Sequence, residues 1–345
     1  MKKFIPRLVF WEITKGCNLR CLHCRAVPEE TLSKEEFSTE EAYKLIDEIV
    51  AFSNPILVLS GGEPLYRKDI FDIARYAISK GLRVSLATNG TLVDEEMAKR
   101  IADTGFARVS VSFDGAIAAT HDKFRGIEGS FDKAISAMKF MRNAGVSTQI
   151  NTTVAKHNYL ELPQMIDLAL ELGVAALHTF LLVPVGCGVE IAEDQMLEAE
   201  KYEEVLNWFY DQSKKVDIDL KATCAPHYFR VLATRNRADK QSKSKEGLSA
   251  MTKGCLAGTG VCFVSNKGDI YPCGYLPLTA GNVRVTPFQK IWEESKLFED
   301  LRNPELLTGK CGICNFKYIC SGCRARAYAA TGDFLSEEPF CHYEP

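Results

Sequence analysis

Six strand-like runs alternate with helix-like segments between residues 8 and 183, and this alternation restricts the possible folds more than any other feature of the chain. The runs are short, apolar and rich in β-branched or aromatic residues, as buried strands are. No hairpin signal separates them, so parallel pairing through right-handed helical crossovers is expected. Because a closed barrel needs eight such units, the sequence predicts an α/β fold: a partial (β/α)6 TIM-like barrel with its site at the carboxyl ends of the strands.

Three cysteines follow the first predicted strand, residues 8–13, in one short loop. Cys17, Cys21 and Cys24 have the spacing C-x3-C-x2-C, and the loop contains no fourth cysteine. A 4Fe–4S cluster normally takes four cysteine ligands, so this loop would leave one iron open to a small molecule. Three cysteines with a distant fourth ligand would also suit zinc, and the loop alone leaves that alternative open.

A Gly-Gly-Glu-Pro turn, Gly61–Pro64, follows the second predicted strand. Together with the cysteine loop it resembles the radical S-adenosylmethionine (SAM) enzymes, in which the amino and carboxylate groups of SAM chelate the open iron. Glycines lack a Cβ, so backbone can approach a ligand closely, and a carboxylate suits an ammonium group. The resemblance implies that the three loop cysteines hold the catalytic cluster and that the SAM ammonium lies against this turn, chiefly against Gly62 and Glu63.

The same resemblance implies further SAM contacts at the ends of later strands. Ser112 and Asn151 would lie toward the SAM carboxylate or ribose, and the backbone of Leu182 would meet the adenine. His23 stands where relatives often carry an aromatic residue, which makes it another candidate contact. Arg125 would clamp the SAM carboxylate with its guanidinium fork; the alternative is an ordinary surface arginine.

Eight further cysteines are concentrated near the C-terminal end of the chain. Their spacing, C-x12-G-x4-C followed by C-x2-C-x5-C-x2-C and a last cysteine, resembles the SPASM extension of radical SAM enzymes, although relatives often have three residues in the final gap. In isolation, the C-x2-C pairs would favour a zinc knuckle. The resemblance implies two auxiliary 4Fe–4S clusters with interleaved ligands: Cys255, Cys262, Cys273 and Cys323 for auxiliary cluster I, and Cys311, Cys314, Cys320 and Cys341 for auxiliary cluster II.

Some residues of the C-terminal half fall outside these ligand sets. A Lys-Gly-Asp turn at residues 267–269 predicts a β-hairpin that brings Cys262 near Cys273. Cys187 and Cys224 are expected to be small buried side chains. His227 is expected to be structural, with ligation of a metal in the substrate as the alternative.

Composition excludes several classes of function. The chain has 345 residues, of which 46% are hydrophobic and 25% charged, and a net charge of −3. This is typical of a soluble globular protein and offers no basic surface for nucleic acid. Neither a signal peptide nor an apolar run of membrane-spanning length is present, so a cytoplasmic protein without membrane contact is expected. Because thiols stay reduced in the cytosol, the thirteen cysteines favour metal binding over disulfides.

The chain length and the local composition predict three segments. Residues 1–222 would form the barrel and residues 255–345 the SPASM domain with its auxiliary clusters. Residues 223–254 would be a linker or lid, whose basic, aperiodic part is 235–253.

The family resemblance also implies a reaction. Reductive cleavage of SAM, with an electron from a donor such as flavodoxin or ferredoxin, would give methionine and a 5′-deoxyadenosyl radical that abstracts hydrogen from an unactivated carbon. Over essentially its whole length, including residues 10–17, 151–154, 180–184 and 322–332, the chain resembles the heme-forming branch of the family. That branch implies oxidative decarboxylation of two propionates of iron-coproporphyrin III to vinyl groups, giving heme b, with an auxiliary cluster as electron acceptor.

Other functions remain open from the sequence. A SPASM peptide maturase or another tetrapyrrole-modifying radical SAM enzyme would share the cofactors. Peptide maturases usually carry an N-terminal peptide-binding domain, and only seven residues precede the first predicted strand here. A non-catalytic iron–sulfur electron carrier or a zinc scaffold would not need the predicted SAM-binding elements.

Overall fold

The computed structural model describes residues 4–29, 35–238 and 253–345. Its strands are β1 Leu8–Glu12, β2 Ile56–Ser60, β3 Arg83–Thr88, β4 Arg108–Ser112, β5 Thr148–Val154, β6 Ala176–Leu181, β7 Asp219–Thr223, β8 Val261–Val264, β9 Asp269–Tyr271 and β10 Gly281–Asn282. Its helices are α1 Thr39–Phe52, α2 Ile70–Ser79, α3 Glu95–Thr104, α4 Ala118–Arg125, α5 Ser130–Asn143, α6 Leu162–Leu172, α7 Ala192–Gln195, α8 Ala199–Gln212, α9 Tyr228–Ala238, α10 Phe288–Glu294, α11 Lys296–Leu301, α12 Gly309–Ile313 and α13 Arg324–Thr331.

The strands form one sheet in the order β10-β9-β8-β1-β2-β3-β4-β5-β6-β7. Strands β1 to β7 are parallel to one another and β8 is parallel to β1, whereas β9 pairs antiparallel with β8 and β10 antiparallel with β9. The predicted partial barrel is confirmed, and the structure adds β7 at one edge of the predicted six strands and β8, β9 and β10 at the other. Strand β7 continues the series beyond β6, and β8 from the C-terminal region pairs with β1, where the unpaired backbone groups of an edge strand accept a partner.

Alternation along the strands separates a packing face from an inner face. On β1, Val9 and Trp11 are fully buried in the main apolar core, together with apolar residues of α1, α2 and α5. Residues one position away, such as Phe10, point to the other face. The helices therefore cover one side of the sheet and leave the opposite side for the site.

Helix α1 begins at a capping box that uses Ser38 and Glu41. The Ser38 hydroxyl accepts a hydrogen bond from the Glu41 amide (3.2 Å), and the Glu41 carboxylate accepts one from the Ser38 amide (2.8 Å). These two bonds satisfy donors that a helix start would otherwise leave unpaired.

None of the helices in the described ranges combines the length and the hydrophobicity of a membrane-spanning segment.

The predicted linker contains ordered structure at its start. Helix α9, Tyr228–Ala238, occupies part of residues 223–254, and Arg235 forms an ion pair with Asp211 on α8. Residues 239–252, which include most of the predicted basic run, lie outside the described residues. The three predicted domain boundaries therefore stay predictions.

Candidate functional site

The cysteine loop leaves the carboxyl end of β1 and is fastened by backbone hydrogen bonds. The Cys17 amide donates to the Glu29 carbonyl and the Cys24 amide to the Cys21 carbonyl, both at 3.1 Å. Burial raises the pKa of Cys17 to about 12, and negative charge on Glu63, Cys21 and Cys24 adds to the increase. Because the thiolate is the metal-binding form, a bound cation would offset this penalty. Three neighbouring thiols from one loop fit a 4Fe–4S cluster with one iron left open.

Gly61 and Gly62 lie directly against the cysteine loop. The Gly62 amide donates to the Thr14 carbonyl at 2.7 Å. A Cβ on Gly62 would come within 2.5 Å of the Gly16 carbonyl oxygen and 2.9 Å of the Cys17 Cβ. Gly62 is therefore required for the packing of the turn against the loop, and this close packing forms one wall of the predicted SAM site.

The Glu63 carboxylate is fully buried and joins the ends of β2 and β3. It accepts hydrogen bonds from the Thr88 hydroxyl (2.8 Å) and from the amides of Asn89 (2.7 Å) and Leu65 (3.1 Å). Burial raises its pKa to about 7, although these three donors act in the opposite direction. A carboxylate has about four acceptor positions, so one remains for an ammonium group. Pro64 opens the short 3-10 turn that follows.

Arg125 is buried, so the surface-arginine alternative is wrong. Its guanidinium donates to Cys21 Sγ at 3.6 Å and lies 2.7 Å from Asp114 Oδ2. Burial would raise the pKa of Asp114, but the charge of Arg125 brings it below its ordinary range. Among the described residues, no hydrogen-bond partner exists for the buried Arg125 Nε. The side chain thus retains a donor for a carboxylate, and its contact with SAM stays a prediction.

A stack of three rings lies beside Asp114. The His23 ring stacks on Phe124 with centroids 4.3 Å apart, and Phe124 stacks on His157 at 3.8 Å. His23 Nε2 is 3.3 Å from Asp114 Oδ2. Burial lowers the pKa of His23 to about 4, so the ring is neutral near pH 7. His23 therefore packs as an aromatic residue would at this position, and its contact with SAM stays a prediction.

Ser112, Asn151 and Leu182 lie at the same edge of the sheet as the cysteine loop. Ser112 and Asn151 are in-register neighbours on β4 and β5, and Asn151 Oδ1 accepts a hydrogen bond from Gln149 Nε2 at 2.7 Å. Leu182 is buried just beyond β6, and its amide donates to the Val154 carbonyl at 3.2 Å. Their predicted contacts with SAM remain untested predictions.

Four cysteines of the C-terminal region line one cavity. Its walls include His227, Arg230 and the set predicted for auxiliary cluster II: Cys311, Cys314, Cys320 and Cys341. Four thiols around one cavity fit a cluster closed by protein ligands. In the described ranges, no three His, Cys, Asp or Glu side chains converge closely enough to hold a single metal ion.

His227 belongs to this cavity and was expected to be a structural residue. It is 1% exposed, and burial lowers its pKa to about 4. Neither of its ring nitrogens has a hydrogen-bond partner among the described residues. The structure therefore places it beside the predicted auxiliary cluster II.

The four cysteines predicted for auxiliary cluster I are not all brought together. Cys273 and Cys224 pack against a small apolar cluster that contains the buried Cys323. Cys262 is fully buried in the main apolar core instead. The predicted hairpin is present as β8 and β9, but it does not place the Cys262 side chain in the group that contains Cys273.

Sequence reasoning missed the contacts of two residues. Asp114, which was not singled out, contacts His23 and Arg125 and accepts a hydrogen bond from the Thr153 amide at 2.7 Å. Cys224 was expected to be a small buried side chain, but it is half-buried and packs against a cluster that contains Cys323. Each of them follows the carboxyl end of a parallel strand, β4 or β7, and that position was the available signal.

Comparisons with known proteins agree with these features. Residues 11–169 match the Radical SAM superfamily, and residues 255–324 match SPASM, an iron-sulfur cluster-binding domain. The chain is 53% identical over 344 residues to the AdoMet-dependent heme synthase of Methanosarcina barkeri, covering 99% of this chain and 97% of that protein. It is 46% identical over 341 residues to the AdoMet-dependent heme synthase of Nitratidesulfovibrio vulgaris, covering 98% and 93%.

A solved structure supports the fold. Streptococcus suis SuiB bound to precursor peptide SuiA has a TM-score of 0.78 and 17% identity, covering 98% of this chain and 76% of that one. The chain belongs to the radical SAM superfamily, in the group that carries a SPASM domain. It therefore uses SAM and a 4Fe–4S cluster and carries auxiliary iron–sulfur clusters in its C-terminal region.

Proposed function

We propose that this protein converts iron-coproporphyrin III into heme b. The observation that carries the proposal is the 53% identity over 344 residues with the AdoMet-dependent heme synthase of Methanosarcina barkeri. In each half of the reaction a propionate loses a β-hydrogen atom, its bond to the carboxylate breaks, and CO2 and one electron leave as the vinyl group forms. When bound, SAM and the clusters would supply the radical that takes the hydrogen atom and an acceptor for the electron.

The inner face of the sheet carries cationic groups that suit a substrate with several carboxylates. His178 on β6 is the in-register neighbour of Lys221 on β7. Burial and the positive charges of Lys221 and Arg108 lower the pKa of His178 to about 3. Burial also lowers the pKa of Lys221. A propionate at this position would offset buried positive charge.

Two donors in this region are available for such a carboxylate. The Gln149 amide nitrogen lies 2.9 Å from His178 Nδ1, which assigns the ring proton to His178 Nε2. Among the described residues, His178 Nε2 and Arg108 Nε are buried without a hydrogen-bond partner. Arg25 is a weaker candidate, because its guanidinium already lies 3.3 Å from Glu12 Oε1 and stacks over the Phe263 ring at 4.2 Å.

The test is a product analysis with matched porphyrins. Reduced enzyme and SAM are incubated separately with iron-coproporphyrin III and with metal-free coproporphyrin III, and porphyrin mass and 5′-deoxyadenosine are followed. Iron-coproporphyrin III should lose two carboxyl groups in sequence through a monovinyl intermediate, with one SAM consumed for each. If every porphyrin returns unchanged while SAM is still cleaved, the proposal fails and peptide maturation becomes the leading alternative.

A pair of lysine variants tests the proposed carboxylate contact. Lys221→Met removes the buried charge, whereas Lys133→Met removes an exposed lysine on α5. Loss of one charge-assisted contact of about 1.5 kcal/mol corresponds to roughly a tenfold increase in KM for iron-coproporphyrin III. The Lys133→Met control should retain the parental KM. Equal KM values for the two variants would mean that Lys221 does not bind the substrate.

The reductant and the location are proposed on chemical grounds. A low-potential donor such as flavodoxin or ferredoxin would reduce the clusters, and the cytoplasm would keep the chain's thirteen cysteines reduced. Reconstitution with each purified donor, scored by 5′-deoxyadenosine formation, tests the first assignment.

A further inference from the structure

Cys262 is placed on the wrong side of its strand to join the other auxiliary cysteines. It pairs in parallel register with Val9, and Phe263 pairs with Phe10. In-register neighbours share a face of a sheet, and successive residues alternate between faces. Cys262 therefore points with Val9 into the main apolar core, where its exposure is 0%. Burial alone raises the pKa of its thiol, with no contribution from another cysteine.

Cys273 lies on the opposite side of the hairpin from Cys262. The next residue, Gly274, approaches the Phe263 ring, with 3.4 Å between its ideal Cβ position and a ring carbon. Phe263 is on the inner face, and Cys273 itself packs in the small cluster around Cys323. The hairpin thus delivers one cysteine to that cluster and buries the other elsewhere.

Cys224 lies with Cys273 and Cys323, the group of cysteines that Cys262 does not join. It directly follows β7 and, like Cys273, packs against the small apolar cluster that contains Cys323. Burial raises the pKa of the Cys224 thiol, and charge on Cys323, Cys273 and Cys255 adds to the increase. Its φ of 53° is left-handed, a conformation that is unfavourable for a residue with a side chain. The surrounding structure holds Cys224 in this conformation at the end of a strand.

We propose that Cys224, not Cys262, is the fourth protein ligand of auxiliary cluster I, together with Cys255, Cys273 and Cys323. The donor set is then four thiols, as a closed 4Fe–4S cluster requires. It also joins the two halves of the molecule, because β7 belongs to the barrel sheet and the other three ligands to the C-terminal region. This inference concerns cluster ligation and does not depend on the porphyrin substrate.

The test uses full-length protein in which Cys17, Cys21 and Cys24 are changed to alanine, so that only auxiliary clusters remain. Cys224→Ala and Cys224→Ser are compared with the matched control Cys262→Val, which keeps an apolar β-branched residue in the strand. After anaerobic reconstitution, iron, sulfide and the electron paramagnetic resonance spectrum of the reduced protein are measured. The background and Cys262→Val should hold about eight irons with the same spectrum.

The two Cys224 variants should differ from that control in a defined way. Cys224→Ala should hold about four irons, and Cys224→Ser should show shifted g values for one auxiliary signal because an oxygen ligand replaces sulfur. The proposal is overturned if Cys262→Val loses iron, or if both Cys224 variants keep the iron content and spectrum of the background.

Thiol alkylation gives a second measurement that needs no variant. In cluster-loaded protein Cys224 should be protected from alkylation, and it should react once a chelator has removed the iron. Cys262 should stay protected in both states while the protein is folded, because its exposure is 0%. Equal alkylation of Cys224 before and after iron removal would contradict the assignment.

Discussion

The two cysteine-rich regions each contain a buried arginine–carboxylate pair, but they collect their thiols differently. In the first region Arg125 lies 2.7 Å from Asp114 and contacts Cys21. In the second, Arg326 lies 2.9 Å from Glu338, whose carboxylate accepts a hydrogen bond from the Cys323 amide at 2.6 Å. The thiols of the first region come from one loop, whereas those of the second come from separate segments.

The two arginine–carboxylate pairs therefore have different roles. Local backbone turns position the three thiols of the loop. The Arg125–Asp114 pair is therefore not needed to bring them together and can contact a bound ligand. The C-terminal thiols depend on the packing of distant segments, and the Arg326–Glu338 pair lies between them with exposures of 0% and 1%. We therefore expect changes in the first region to affect chemistry and changes in the second to affect assembly as well.

The largest effect should come from changing Cys17, Cys21 and Cys24 together to alanine. About four irons and all reductive SAM cleavage should be lost, because the open cluster has no other ligands, while the auxiliary clusters remain. Cys311→Ala is the matched change in the second region and should impair vinyl formation while SAM cleavage continues. Iron analysis and 5′-deoxyadenosine assays measure both, and parental SAM cleavage by the triple variant would break the distinction between the regions.

The next largest effect should be the loss of stability in Glu338→Gln. Burial would raise the pKa of Glu338, but Arg326 brings it below its ordinary range, so the pair is ionised. Removing the carboxylate leaves Arg326 as an uncompensated buried charge, which costs about 3–5 kcal/mol of unfolding free energy. Urea unfolding measures this loss.

The control for Glu338→Gln is Glu95→Gln. Glu95 pairs with Lys99 on the exposed face of α3, where both side chains are mostly in solvent. Exposed pairs contribute little to stability, so its unfolding midpoint should stay close to that of the parent. Equal midpoints for the two variants would mean that the buried pair does not support the second region.

A smaller effect is expected from Arg125→Lys. Lysine keeps the charge but cannot contact Asp114, Cys21 and a SAM carboxylate with one planar fork. Loss of one such contact corresponds to about a tenfold increase in KM for SAM with unchanged iron content. Arg75→Lys, at an exposed pair with Asp72, is the control. An unchanged KM for SAM in Arg125→Lys would mean that Arg125 does not bind the SAM carboxylate.

The same contrast explains how far the sequence could predict the structure. The first site was accessible because its ligands are adjacent in the chain and because parallel strands bring residues such as Ser112 and Asn151 to one edge. The pairing of β8 with β1 was not accessible, because a short strand does not reveal its partner. The face of the sheet on which the Cys262 side chain lies follows from that pairing, so it was not accessible either.

The central claim is that eleven of the thirteen cysteines provide ligands for three separate four-iron clusters. Metal analysis of anaerobically reconstituted wild-type protein tests it most directly, with iron, acid-labile sulfide and zinc measured per chain on the same sample. We expect about twelve irons, about twelve sulfides and negligible zinc. About one zinc per chain with little iron would contradict it.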